Sequence, residues 1–120
     1  MRKISLIICT IFCFALLSAI ASADKPLEIV TTTPDLADAA RNILGSRGHV
    51  NFICQGYQDP HNVEAKPSYL KLMQNANGFI ETGLSLEIAW APSLLRGARN
   101  KTIMPGGCGF FDASSGITVL

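Results

Sequence analysis

The chain has 120 residues, ten Lys and Arg against nine Asp and Glu, and a net charge of +1. That length suits one small domain, and so even a charge balance offers no basic patch for nucleic acid. Apolar residues make up 48% of the chain, and the densest stretch lies at its amino end.

Arg2 and Lys3 lead into an almost unbroken apolar run, Ile4 to Ile20, and Ala21-Ser22-Ala23 follows as a small-x-small cleavage signal. Residues 1–23 therefore read as a secretory signal peptide, with the exported mature chain starting at Asp24. A retained anchor needs about 20 apolar residues with no cleavage site behind them. This run is shorter and ends in such a site. No Cys follows the cleavage point, so a lipid-anchored start is not expected. Cleavage leaves eight basic residues facing nine acidic ones, and two cysteines, Cys54 and Cys108. Two thiols in an oxidising compartment are able to pair, but spacing alone does not say whether their Cα atoms come within bonding range. The mature chain buries only roughly 60 to 70% of its unfolded surface, which leaves its core little margin.

Leu27 to Thr33 (LEIVTTT) reads as a buried strand. Thr33-Pro34 then supplies a cap residue and a proline for the first helical position. Leu36, Ala39, Ala40, Ile43 and Leu44 fall on one helical face, and Gly45 is a natural stop. His49 to Gln55 (HVNFICQ) has the β-branched and aromatic content of a second strand. It empties into a loop, Gly56 to Lys66. Pro67 opens a helix with Tyr69, Leu72, Met73 and Ala76 on its inner face. Gly78 to Gly83 (GFIETG) is a third, short strand. Leu84 to Asn100 (LSLEIAWAPSLLRGARN) reads as a helix with Pro92 at a kink or restart. A loop, Lys101 to Gly116, and a last apolar piece, ITVL, complete the chain.

Strands alternating with helices predict an α/β fold of βαβ units with a mainly parallel sheet. Right-handed crossovers put the helices on its faces, and ligands of such sheets bind outside the carboxyl ends of the strands. The loop after the second strand leaves from that end, and it carries His61 in the stretch QDPHNVEAKPSY. A lone loop histidine is most often a surface residue. Three features favour a transition-metal ligand instead. Asp59-Pro60 restricts the backbone just before the ring. Glu64, three residues on, is placed to accept a hydrogen bond from the ring's other nitrogen and so fix its tautomer. The chain also has no Gly-x-Ser-x-Gly elbow, no Cys-His pairing at catalytic spacing and no glycine-rich phosphate loop, so no enzyme is expected. One imidazole does not make a site, since zinc takes about four ligands. His49, at the start of its strand, is a poor second candidate. Asp59, Glu64, Glu81 and Asp112 are candidate oxygens without metal-specific spacing.

EIVTTTPDLADAARNILG, then QDPHNVEAKPSYLKLMQNANGFIETGLSLE, then LLRGARN resembles the metal-binding subgroup of periplasmic solute-binding proteins. These serve ATP-binding-cassette (ABC) importers of zinc and manganese. The resemblance implies part of the amino-terminal lobe of a protein with two α/β lobes joined by a long helix. Such a protein clasps one Zn²⁺ or Mn²⁺ between its lobes and delivers it to an inner-membrane permease. It makes His61, of the Asp-Pro-His motif, a metal ligand, and it matches Glu64 to an acidic position of the motif. Cys54 and Gln55 stand where apolar residues and proline are expected, and Cys108 where the family has no thiol. The likeness covers about the first third of a usual member. Residues 24–120 are accordingly expected to be an incomplete lobe, monomeric if stable. The alternative is an exported interaction or adhesion module without transport, or a non-functional remnant.

Overall fold

The computed structural model describes residues 25–118. The expected signal peptide, 1–23, lies outside them. Among the described residues, four strands and three α-helices alternate. They are β1 (Leu27–Thr31), α1 (Pro34–Leu44), β2 (Gly48–Phe52), α2 (Pro67–Asn75), β3 (Gly78–Glu81), α3 (Ala91–Ala98) and β4 (Phe110–Asp112). The strands form one sheet in the order β2-β1-β3-β4, and every pair is parallel. The α/β class and the parallel sheet agree with the sequence reading.

The order of the strands decides where the helices go. From β1 the chain steps one way to β2, and from there it steps back across β1 to β3 and on to β4. Right-handed crossovers therefore put α1 on one face and α2 with α3 on the other. The packing agrees. Val30 of β1 and Phe79 of β3 join Tyr69, Met73, Ala91 and Leu94 in the main core, which contains no residue of α1. The Phe79 and Phe110 rings extend this core to β4, with centroids 6.2 Å apart. Helix α1 rests on β1 and β2 through Ala37, Ala40 and Leu44.

The starts of the first two helices, at Pro34 and Pro67, were legible. Each α-helix carries proline in its first turn, where the missing N–H costs no hydrogen bond. Helix α1 ends at Gly45, whose φ of 59° suits glycine. The end of α2 is closed from a distance. The Asn100 side-chain amide donates to the carbonyls of Met73 and Ala76, at 2.9 and 2.8 Å. This satisfies acceptors that the helix leaves open and ties the exit of α3 to α2.

Three expectations are corrected. The buried stripe of α1 is Ala37-Ala40-Leu44, while Ala39 is exposed and Ile43 is 78% exposed. Small residues let the helix approach two strands closely, and the larger isoleucine turns outward. The stretch from Leu84 is not helical until Ala91. Residues 84–90 form turns, so Pro92 marks a start and not a kink. The stretch expected to be loop contains β4, held to β3 in register from Phe79↔Phe110 to Glu81↔Asp112. Ile117 of the last apolar piece is exposed and in no strand.

Cys54 and Cys108 are both free thiols, the first buried and the second exposed. Burial, and then the charges of Asp59 and Glu87, push the Cys54 thiol above its ordinary value. A protonated, covered sulfur is a poor nucleophile. Peptide mapping after brief treatment with an aromatic disulfide at pH 8 should find Cys108 modified. Cys54 should react only once the protein is unfolded.

Candidate metal centre

Strands β1 and β3 lie side by side, but their onward connections run in opposite directions. The crevice outside their carboxyl ends is the place where open parallel sheets bind ligands. Here the protein's own carboxylate fills it. Glu87 is 2% exposed. Its Oε1 accepts from the Thr32 hydroxyl at 2.6 Å and from the Thr82 amide at 2.8 Å, and its Oε2 accepts from the Gly83 amide at 3.2 Å. A buried charge is costly unless such donors surround it. The donors come from the residues that follow β1 and β3, so Glu87 locks the two strand ends together.

The backbone beside this carboxylate is strained. Gly83, Leu84 and Ser85 have φ of 84°, 52° and 66°, a left-handed run that costs a non-glycine residue of order 1–3 kcal/mol. Gly83 has a second reason to lack a side chain, because a Cβ there would strike the Asp112 carboxylate.

The histidine loop approaches from β2. Its first residues stay on the neighbouring strand, with Ile53 N–H donating to Thr31 O at 3.0 Å and Cys54 N–H to Thr32 O at 2.9 Å. The chain then turns at Asp59. One oxygen of that carboxylate, Oδ1, accepts from the His61 amide and meets His61 Nδ1, both at 2.9 Å. The other, Oδ2, accepts from the Asn62 side chain at 3.2 Å. These bonds, the His61 amide first, hold the Asp59 carboxyl below its ordinary range. Val63 anchors the loop in the main core, and the Trp90 indole N–H donates to Pro60 O at 2.8 Å. A carboxylate oxygen accepts, so Nδ1 is the nitrogen that donates to Asp59, and Nε2 is the ring nitrogen left to meet an ion. The His61 side chain is 65% exposed, so that nitrogen can meet an ion.

The carboxylate beside His61 is thus Asp59, where Glu64 was expected. Glu64 is exposed and makes no hydrogen bond to His61 among those of the described residues. The reason is local. An aspartate two residues before the ring closes a turn onto both its amide and its imidazole, and Glu64 lies beyond that turn. His49 is at the amino end of β2, with Nδ1 2.9 Å from Glu28 Oε1 and away from the rim. Glu81 and Asp112 are register partners on β3 and β4. Among the described residues, no three of His, Cys, Asp and Glu are grouped so as to hold a metal ion. Glu87 and Trp90 had no role in the sequence reading. The available signals were an acid and the chain's single tryptophan set within an otherwise apolar run.

Residues 29–119 match the family model described as zinc-uptake complex component A, periplasmic. The metal ABC transporter substrate-binding lipoprotein SloC of Streptococcus mutans is 33% identical over 110 residues, which is 85% of this chain and 35% of that protein. The manganese ABC transporter substrate-binding lipoprotein PsaA of Streptococcus pneumoniae is 35% identical over 106 residues, 86% of this chain and 33% of that protein. A crystal structure of ZnuA superposes with a TM-score of 0.64 at 26% identity, covering 80% of this chain and 35% of the other. A ZnuA deletion mutant with zinc bound superposes with a TM-score of 0.66 at the same identity. The chain spans about a third of the length of the curated relatives it matches.

Two outcomes follow from this geometry. Burial, and then the charges of Glu87 and Asp112, raise the Glu81 carboxyl above its ordinary value of 4.5. A carboxyl whose folded-state value is raised stabilises the fold only while protonated, and that contribution is lost as pH rises through the folded value. Glu81→Gln should therefore raise the melting temperature at pH 7, and the gain should vanish below about pH 4, in scans at both pH values. At the loop, imidazole ¹⁵N spectra at pH 8 should show His61 as the Nδ1–H tautomer. Asp59→Ala should return the ring to a mixture.

Proposed function

Because the chain belongs to the family of periplasmic zinc-uptake complex component A, we propose that it is part of the substrate-binding component of an ABC importer for Zn²⁺ or Mn²⁺. His61 is one ligand of the transported ion. The observation that carries this reading is the His61 ring itself, exposed at the carboxyl-end rim with Nδ1 against Asp59. Metal-bound imidazoles commonly donate their second N–H to a carboxylate in this manner, which orients the ring and makes the ligating nitrogen more basic. An exposed histidine without that partner would suit a metal less well.

One imidazole, with no group of three His, Cys, Asp or Glu among the described residues, makes a partial cage. The other ligands come from polypeptide outside residues 25–118, with the described domain as part of an amino-terminal lobe. The protein works in the periplasm, and its partner is the importer's membrane permease. Transport asks for no bond-making chemistry. Protein ligands replace the ion's hydration shell on binding, and docking on the permease reverses the exchange. The names of the relatives fit this role, since they bind substrate for metal importers.

The test is calorimetric titration of the purified chain with Zn²⁺, free of competing buffer ligands. With most of the cage missing, weak one-to-one binding is expected, and His61→Ala should weaken it by about tenfold or more, about 1.4 kcal/mol. Submicromolar binding that survives His61→Ala would overturn the ligand assignment.

A further inference from the structure

We infer that Trp90 is a positioning residue for the metal ligand, fixing the peptide unit from which His61 projects. The inference rests on the reading of His61 as a ligand. The Pro60–His61 peptide is planar, and both of its polar ends are held. Its carbonyl accepts from Trp90 Nε1 at 2.8 Å, and its N–H donates to Asp59 Oδ1 at 2.9 Å. With that plane fixed and Nδ1 also on Asp59, little freedom remains for the imidazole.

The two anchors differ in kind. Asp59 is exposed and belongs to the loop itself, so it shapes the turn without saying where the turn sits on the protein. Trp90 is 4% exposed and lies in the main core. Its amide donates to Glu87 O at 3.1 Å, and the Glu87 carboxylate is bonded to the residues following β1 and β3. A rigid path therefore runs from the sheet through Glu87 and Trp90 to the carbonyl next to the ligand. An aromatic chosen only to fill space would not require an N–H, and a buried indole must find a partner for it. The partner found here is the one carbonyl that faces away from the His61 amide on the same peptide. A ligand held before the ion arrives loses less freedom on binding.

The experiment replaces Trp90 in the full chain with benzothienylalanine, which keeps the ring shape and drops the N–H, and in parallel makes Trp90→Phe. Amide exchange and His61 ring ¹⁵N shifts are recorded without metal, and Zn²⁺ affinity is measured by titration. In the isostere, core amides such as Val30 and Phe79 should keep their protection. The His61 amide should exchange about tenfold faster, its ring should lose its single tautomer, and Zn²⁺ should bind several-fold more weakly. Trp90→Phe should show the same loop changes with some added loss of core stability. Unchanged His61 signals in the isostere would overturn the inference, as would a uniform loss of protection through the core. Failure of the ligand reading has a separate signature: His61→Ala leaves Zn²⁺ binding intact in the parent chain, whatever the exchange data say of Trp90.

Discussion

A buried carboxylate at the meeting point of β1 and β3 organises the functional end of this domain. Parallel strands whose connections diverge leave a crevice at their carboxyl ends, lined by backbone N–H groups that the sheet does not use. Glu87 satisfies two of these, at Thr82 and Gly83, together with the Thr32 hydroxyl. The arrangement is self-consistent only as a whole. Without the carboxylate the Gly83 amide is left buried and without this acceptor, at a cost of about 1–3 kcal/mol. Without the donors the charge itself is expensive to bury. The left-handed turn Gly83-Leu84-Ser85 persists because this network over-determines it.

The attachment of the His61 loop to the sheet is built on that point. The turn after β3 delivers Glu87 and then Trp90, and the Trp90 indole reaches the Pro60 carbonyl of a loop from another strand. The loop begins on the residues that end β1, by the bonds of Ile53 and Cys54 to Thr31 and Thr32. Three stretches far apart in sequence therefore meet at one rim. The sheet supplies the place, the carboxylate fills its crevice, and the imidazole is held beside it with one nitrogen engaged.

A held ring with one nitrogen engaged by a carboxylate is the arrangement common to metal-bound imidazoles. The group against His61 is a carboxylate that accepts hydrogen bonds, and burial raises the nearby Cys54 thiol above its ordinary value. The domain presents a donor atom and a rigid mount. The family to which the chain belongs is one of zinc-uptake proteins.

Residues near one another in the chain determined a good deal. The proline-led starts at Pro34 and Pro67, Gly45 as a stop, β-rich runs alternating with helical stretches, and the stiff Asp59-Pro60 step before His61 are local chemistry, and these were legible in order. The parallel sheet followed from the alternation, and the rim location of His61 followed from the sheet. What the sequence could not decide are relations between distant segments. Glu87 is an ordinary acid until Thr32, which lies 55 residues earlier, is brought to its oxygen. Trp90 is an apolar residue among others until its N–H meets a carbonyl 30 residues away. Strand β4 is three residues long and exists because β3 offers it an edge. Ile43 points outward because α1 rests on only two strands. The choice of Asp59 over Glu64 as partner for the ring turned on the direction of one tight turn, which periodicity does not encode. Local propensity wrote the elements of this domain, and tertiary contact assigned its buried polar groups their partners, because only the folded chain brings donor and acceptor within 3 Å of each other.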